Sequence, residues 1–238
     1  MDKTVILYQF QLCPFCHKVR AALELKGVPY QKIEVSPGNK KELPELPEGA
    51  PRKVPILQVN DRIIWDSTDI LKSLDELVEG SPILSIESDV DANKAIELED
   101  WIDEHLIPAL PTVLYATWKD AFLAAKLTAT GSNYSFWKAL QVRVFGSIIM
   151  KMIAKRILRR HNRSDGRVWV KECVDYLEGE LAQRQYLAGE NISLADAAFH
   201  GALSCVQDFP LFNELMTRPI IKEWFDRIQA LRVNGMHT

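Results

Sequence analysis

The chain has 238 residues, of which 47% are hydrophobic and 26% charged, with a formal net charge of −3. That length has room for one large domain or two modest ones, and the composition is ordinary for a soluble globular protein. The acidic balance argues against nucleic acid as the main partner, because no excess of basic residues is there to neutralise phosphates. Four cysteines do not make a disulfide framework, so a reducing, cytoplasmic setting is expected. No apolar run reaches the ~20 residues needed to span a bilayer. Met1–Thr4 leads straight into the first apolar run, so no leader is expected.

Val5 to Tyr8 reads as a short buried strand, and Val19, Ala22, Leu23 and Lys26 recur at helical spacing. Between them stands Cys13-Pro14-Phe15-Cys16, which puts Cys13 where a strand turns into a helix. The first amides of a helix have no intrahelical partners and carry partial positive charge. A thiolate placed there is stabilised, and its pKa falls from about 8.5 towards about 3.5–7.5. Pro14 suits the first turn, since it lacks an N–H that would be unpaired there. Cys16 lies one turn further in, where it can attack a mixed disulfide formed at Cys13. The pattern reads as a redox-active thiol pair; the alternatives are two buried structural cysteines or half a zinc site. Zinc needs a second ligand pair, and Cys173 and Cys205 are isolated residues, so no metal is expected. Both fall in helical patterns and read as small buried hydrophobes. His17 reads as a surface histidine of the first turn.

Gly27 and Pro29 stop the first helix, and Tyr30 to Val35 alternates like a second strand. A β-α-β unit implies parallel strands and a right-handed crossover. Residues 36–51, rich in proline with Gly38 and Gly49, read as a loop with a helical turn around Lys40–Leu43. Arg52 to Val59 reads as a strand beside Pro55, and Asn60-Asp61 turns it back into Ile63-Ile64-Trp65. Asp66-Ser67-Thr68-Asp69 then opens a helix through Ile70, Leu71, Leu74 and Leu77, with Asp and Ser ready to cap it. The order β-α-β then β-β-α over about eighty residues is a thioredoxin-like arrangement. That fold requires a proline entering the third strand opposite the cysteine pair, so the bond before Pro55 is expected to be cis.

Gly80-Ser81-Pro82 reads as a linker, and from Asp89 the pattern is helical almost to the end. One long helix runs to Leu106, stopped by Pro108 and Pro111; His105, at its end, is placed either in an interdomain cleft or in a structural role. A second helix covers 112–130, broken at Gly131-Ser132-Asn133. A third, Trp137 to Arg160, is apolar on one face (Leu140, Val144, Ile148, Ile149, Met152, Ile153, Ile157) and basic at its end. Its basic run, Lys151 to Arg163, is a solvated helix end, a peripheral membrane contact, or a site for an anionic substrate. Further helices span Val168 to Arg184, start at Ser193, and cover Ile220 to Leu231. Trp101, Trp118, Trp137 and Trp224 read as core or cleft wall.

This architecture resembles the glutathione S-transferase superfamily: α/β plus all-α, with a thioredoxin-like β-α-β-β-β-α domain (residues 1–80) followed by an all-helical domain (88–238). Asn191-Ile192-Ser193-Leu194-Ala195-Asp196 is similar to the family's N-capping box. Asp66-Ser67 matches the acidic-serine pair that holds the γ-glutamyl end of glutathione. Within the superfamily, CPFCHKVRAAL, VPYQKIEV, RKVPIL and IAKRILRRH look like the membrane-associated prostaglandin E synthase type 2 family. The resemblance implies a glutathione-dependent enzyme in which the Cys13 thiolate forms mixed disulfides and Cys16 resolves them. Phe15, Val54, Pro55, Asp66 and Ser67 then frame glutathione, with Val54 as backbone partner of its cysteinyl part. Arg52 and Lys53 would flank the glycyl carboxylate or stay solvated. It implies a small hydrophobic or disulfide second substrate and a homodimer. Alternatives of other classes are an isomerase of the prostaglandin E synthase type, holding haem with glutathione, and a non-catalytic binding protein. That family has a tyrosine three residues before its first cysteine; Phe10 stands there in this chain.

Overall fold

The computed structural model describes residues 3–36, 38–80, 83, 89–131 and 136–235. The first half builds β1 (Val5–Gln9), α1 (Pro14–Leu25), β2 (Gln31–Glu34), β3 (Ile56–Val59), β4 (Arg62–Trp65) and α2 (Ser67–Leu77). The sheet order is β2-β1-β3-β4. β1 and β2 are parallel, β1 and β3 antiparallel, and β3 and β4 antiparallel in the expected hairpin. Leu7 and Leu57 face each other in register and are sealed from solvent with Val19, Leu23, Ile70 and Leu74 of the two helices. The sheet thus buries one face under α1 and α2, as the alternating apolar residues require.

The second half is helical: α3 (Asp89–Trp101), a π-helical turn (Ile102–Leu106), α4 (Ile107–Leu114), α5 (Trp118–Gly131), α6 (Phe136–Arg160), α7 (Gly166–Leu181), α8 (Leu194–Cys205), α9 (Pro210–Leu215) and α10 (Pro219–Gly235). The bond expected to be cis is cis: Val54–Pro55. The predicted third strand is shorter than expected, starting only after Pro55. Around Lys40–Leu43 there is a turn but no helix. Pro108 and Pro111 do not stop the long helix. Pro108 has no N–H to give the ladder, and the chain passes it through the π turn, with the Ile107 N–H reaching the Ile102 carbonyl. α5 ends at Gly131; the rest of the expected break, Ser132-Asn133, and the linker at Ser81-Pro82 lie outside the described residues, as do the side chains of Trp137, Leu140 and Val144.

The two halves are joined chiefly by α1 lying along α8. Gly201 of α8 makes this possible: a Cβ there would stand 2.5 Å from the Lys18 backbone nitrogen and 2.6 Å from its Cα. The capping box at the start of α8 is present, and the fully buried Asp196 also accepts from the Leu187 amide (3.0 Å) and the Trp224 indole (2.9 Å). One carboxylate therefore fixes the loop before α8, the start of α8 and the core of α10.

Candidate functional site

Cys13 is the N-cap of α1, with extended backbone, and its carbonyl accepts from the Cys16 and His17 amides at 3.0 and 3.1 Å. It is half-buried, while Cys16 is fully buried. The Cys16 thiol donates to Cys13 and thereby lowers the Cys13 pKa; backbone donors at Cys16 and Phe15 and the Arg20 charge add to this, against the opposing effect of burial. Burial together with that neighbouring sulfur pushes Cys16 well up. The pair is therefore asymmetric: an accessible thiol with a lowered pKa and a shielded thiol with a raised one, which does not favour the resolving role expected of Cys16.

His17 departs from its expected place. It is 8% exposed, its Nε2–H donates to the Gln11 carbonyl at 2.9 Å, and burial lowers its pKa to about 3. It holds the loop before the helix and stays neutral, so it supplies no positive charge to the thiol. Tyr8 is likewise occupied elsewhere, its hydroxyl donating to Gln58 Oε1 at 3.1 Å. Arg20 is 8% exposed, its Nε and Nη2 have no hydrogen-bond partner, and its charge favours the thiolate form of both cysteines. Tyr115, capping the C-terminal end of α4, lies within electrostatic reach of Cys13 and Cys205; burial mainly pushes its hydroxyl up to about 12.

Beside the helix start is a cleft of about 290 Å³ lined by Phe15, Pro51, Lys53, Val54, Pro55, Trp65, Asp66, Ser67 and Asp103. Five residues expected from the sequence to frame one ligand, Phe15, Val54, Pro55, Asp66 and Ser67, are thus brought together. Asp66 caps α2, its Oδ1 accepting from the Thr68 and Asp69 amides at 2.9 and 3.3 Å. Capping and ligand binding are compatible there, because one carboxylate oxygen remains for a ligand. Lys53, not Arg52, lines the cleft; the Arg52 guanidinium donates to the Lys40 carbonyl at 2.9 Å. A second cleft of about 340 Å³ continues past Lys53 and Val54 to Phe10 and Val35.

Sequence reasoning passed over the floor of the site. Lys18, fully buried on α1, gives its ammonium to Glu99, to Asp103 Oδ2 (2.7 Å) and to Thr68 Oγ1 (3.3 Å). Thr68 in turn donates to Glu99 Oε1 at 2.8 Å. One cation serves two carboxylates, and Glu99 Oε2 and Asp103 Oδ1 have no partner. Asp103 belongs to the π turn, and burial raises its carboxyl from 3.8 to about 6 in spite of Lys18. The signal for this cluster was Glu99 on the apolar stripe of α3 with Ala95, Leu98 and Ile102. His105, by contrast, is not in this cleft; it lines another with Trp101, His161, Trp169 and Tyr176, its ring edge-on to Trp101 at 4.8 Å.

Fold and site define a two-domain protein that presents one thiol of lowered pKa at a helix start, beside a cis-proline loop, with Asp103 of the helical half lining the neighbouring cleft. The family model for "Glutathione S-transferase, N-terminal domain" matches residues 7–82, and that for "Glutathione S-transferase, C-terminal domain" matches residues 164–231. The chain belongs to the glutathione S-transferase superfamily. Membership supports a glutathione-dependent, transferase-like role. Prostaglandin E synthase 2 of Danio rerio is 24% identical over 270 residues, covering 96% of this chain and 71% of that protein. Glutathione S-transferase U1 of Arabidopsis thaliana is 40% identical over 83 residues, 35% of this chain and 37% of that one. The structure of glutathione S-transferase-I bound with lactoylglutathione superposes with a TM-score of 0.65 at 18% identity, covering 98% of this chain and 99% of the other.

Proposed function

We propose that the protein is a glutathione-dependent thiol transferase in which Cys13 is the nucleophile. The observation that carries this reading is the asymmetry of the thiols, with Cys13 lowered at the helix start and Cys16 raised by burial. The Cys13 thiolate attacks the glutathionyl sulfur of a mixed disulfide R–S–S–G, forming Cys13–S–S–G and expelling the thiolate R–S⁻. A second glutathione thiolate then attacks the glutathionyl sulfur, releasing oxidised glutathione and regenerating the Cys13 thiolate. Cys16 is a poor second nucleophile while its thiol stays protonated, which favours glutathione for that step.

In this reading the bound tripeptide runs along Val54 and Pro55, its γ-glutamyl end meets Asp66 and Ser67, and Phe15 walls one side. The thioredoxin-like half spans residues 1–80 and the helical half 88–238, two copies pair, and the protein works in the reducing cytoplasm. The second substrate is a disulfide or a small hydrophobic molecule entering between the halves. Turnover of hydroxyethyl disulfide with glutathione, compared between wild type and Cys13→Ser, tests the role. Activity in the wild type and its loss in Cys13→Ser is expected; equal activity, or none in either, ends the proposal.

A second reading, an isomerase of the prostaglandin E synthase type, rests on the likeness to such proteins along 96% of the chain. The residues lining the cleft beside the start of α1, Cys13 not among them, include no His, Met, Tyr or Cys to ligate haem, so a haem iron there would depend on the thiol of bound glutathione. A Soret band after incubation with haem and glutathione, absent without glutathione, checks it.

A further inference from the structure

The α5–α6 hairpin lies in the segment, residues 83–163, that neither family model matches. Its apolar residues are arranged inside out. Where it packs on α4 and within itself it buries small side chains, Ala121, Ala124, Ala125 and Ala154. Six large ones face solvent: Trp118 is 60% exposed, Ile149 56% and Met152 65%, with Phe122, Ile148 and Ile153 also above 40%; Leu123, Leu127, Met150, Ile157 and Leu158 are half-buried against the core. Ile148, Ile149, Met152 and Ile153 are spaced i, i+1, i+4 and i+5, which sets them on one side of α6. A helix made only to face water would bear polar groups there.

The charge of this hairpin is as one-sided as its apolar ridge. Between Asp120 and Asp165 the sequence has no Asp or Glu and nine Lys and Arg, in a chain whose net charge is −3. Lys155, Arg156, Arg159 and Arg160 are exposed along the same helix as the ridge. The Lys151 ammonium sits 4.8 Å from the Trp118 ring centre, so an aromatic ring and a cation share the ridge's edge. We propose that the α5–α6 hairpin docks on an anionic lipid bilayer surface, its Trp118–Ile149–Met152 ridge entering the headgroup boundary while the flanking Lys and Arg meet lipid phosphates and carboxylates.

Two other occupants fit less well. A two-fold interface centred on the hairpin sets the same patch against itself, and here it would press one acid-free basic helix on its copy. Nucleic acid would meet the charges but leave an aliphatic ridge at the centre of the contact, where base and phosphate recognition has no use for it. An anionic bilayer satisfies both halves of the surface at once.

Sedimentation of the full chain with phosphatidylcholine vesicles, with and without phosphatidylserine, is the test. Co-sedimentation with the serine-containing vesicles, weakened by salt and slight with phosphatidylcholine alone, is expected. Lys155→Glu with Arg156→Glu should weaken it by more than about tenfold, since each cation near an anionic surface contributes about fivefold. Ile149→Asp with Met152→Asp should abolish it while leaving Cys13 alkylation and the melting curve unchanged. The wild-type measurement depends on no variant: a chain that stays in solution with both vesicles overturns the proposal. So does equal binding to both vesicle types, a dimer in analytical ultracentrifugation that Met152→Asp splits, or duplex RNA binding indifferent to the Ile149 and Met152 changes.

Discussion

The Lys18 ammonium of α1 is paired with the Glu99 carboxylate of α3, and neither side chain has any exposed surface. The pair ties the thiol-bearing helix to the helical half from beneath the cleft, with Asp103 as a second acceptor. Removing one partner of a buried pair strands the other's charge, whereas removing both is much milder. Lys18→Met should therefore destabilise the protein by about 3–5 kcal/mol in urea unfolding. Lys18→Met with Glu99→Met should recover a large part of that loss, although Asp103 keeps its charge. A double-variant loss equal to the sum of the Lys18→Met and Glu99→Met losses would show that the pair is not coupled.

Asp103 gives a pH test of the same cluster. Its carboxyl, raised from 3.8 to about 6 by burial and by the Glu99 charge against the pull of Lys18, holds a proton more tightly in the folded chain than in the unfolded one. Stability from this group is thus fully present below 3.8 and is lost as the pH rises through about 6. Asp103→Asn removes the titration. The stability of wild type minus that of Asp103→Asn should fall by roughly 3 kcal/mol between acid and neutral pH, at about 1.4 kcal/mol per pKa unit. A flat difference would mean that Asp103 is solvated in solution.

The thiol pair predicts a result that a lone helix-start cysteine would not. Because the largest influence lowering Cys13 is the hydrogen bond from Cys16, Cys16→Ala should raise the Cys13 pKa towards its ordinary value and slow alkylation at neutral pH. In the wild type, iodoacetamide followed across pH should modify Cys13 with a midpoint below 9.0 and leave buried Cys16 intact until unfolding. If Cys16→Ala leaves the Cys13 midpoint unchanged, the helix start and Arg20 alone set it.

What was legible in the sequence was local. The Cys13–Cys16 motif, the hairpin at Asn60-Asp61, the cap at Asp66 and the capping box at Ser193 each involve residues within a few positions, and each is found as expected. Pro55 was legible too, because its place relative to the motif is a property of chain order. Contacts across the chain were not. Lys18 meets Glu99 at a separation of 81 residues, and nothing in the first helix reveals that a carboxylate on a later helix will bury its charge. His17 reads as a surface residue until α8 covers α1. The same blindness affected α6: periodicity finds its apolar face, but Ala154 and Ile157 turn inward while Ile148, Ile149 and Ile153 face solvent.

Two glycines separate close packing from intrinsic helix preference. At Gly201 a Cβ would fall within 2.5–2.8 Å of Lys18 and His17 backbone atoms, and backbone cannot swing aside as a side chain can. Gly201→Ala must push α8 off α1. Overpacking of this kind typically costs about 1–3 kcal/mol, and here it would also shift the helix that presents Cys13, so alkylation should change with stability. Gly179 of α7 has nothing within 4 Å of an added Cβ, and a mid-helix glycine is less favourable than alanine by about 0.5–1 kcal/mol. Gly179→Ala should therefore stabilise by that amount and leave Cys13 reactivity untouched. Urea midpoints and iodoacetamide rates on the two variants read both effects. A tolerated Gly201→Ala with unchanged thiol kinetics would show that α1 and α8 are packed less closely than 2.5 Å contacts require.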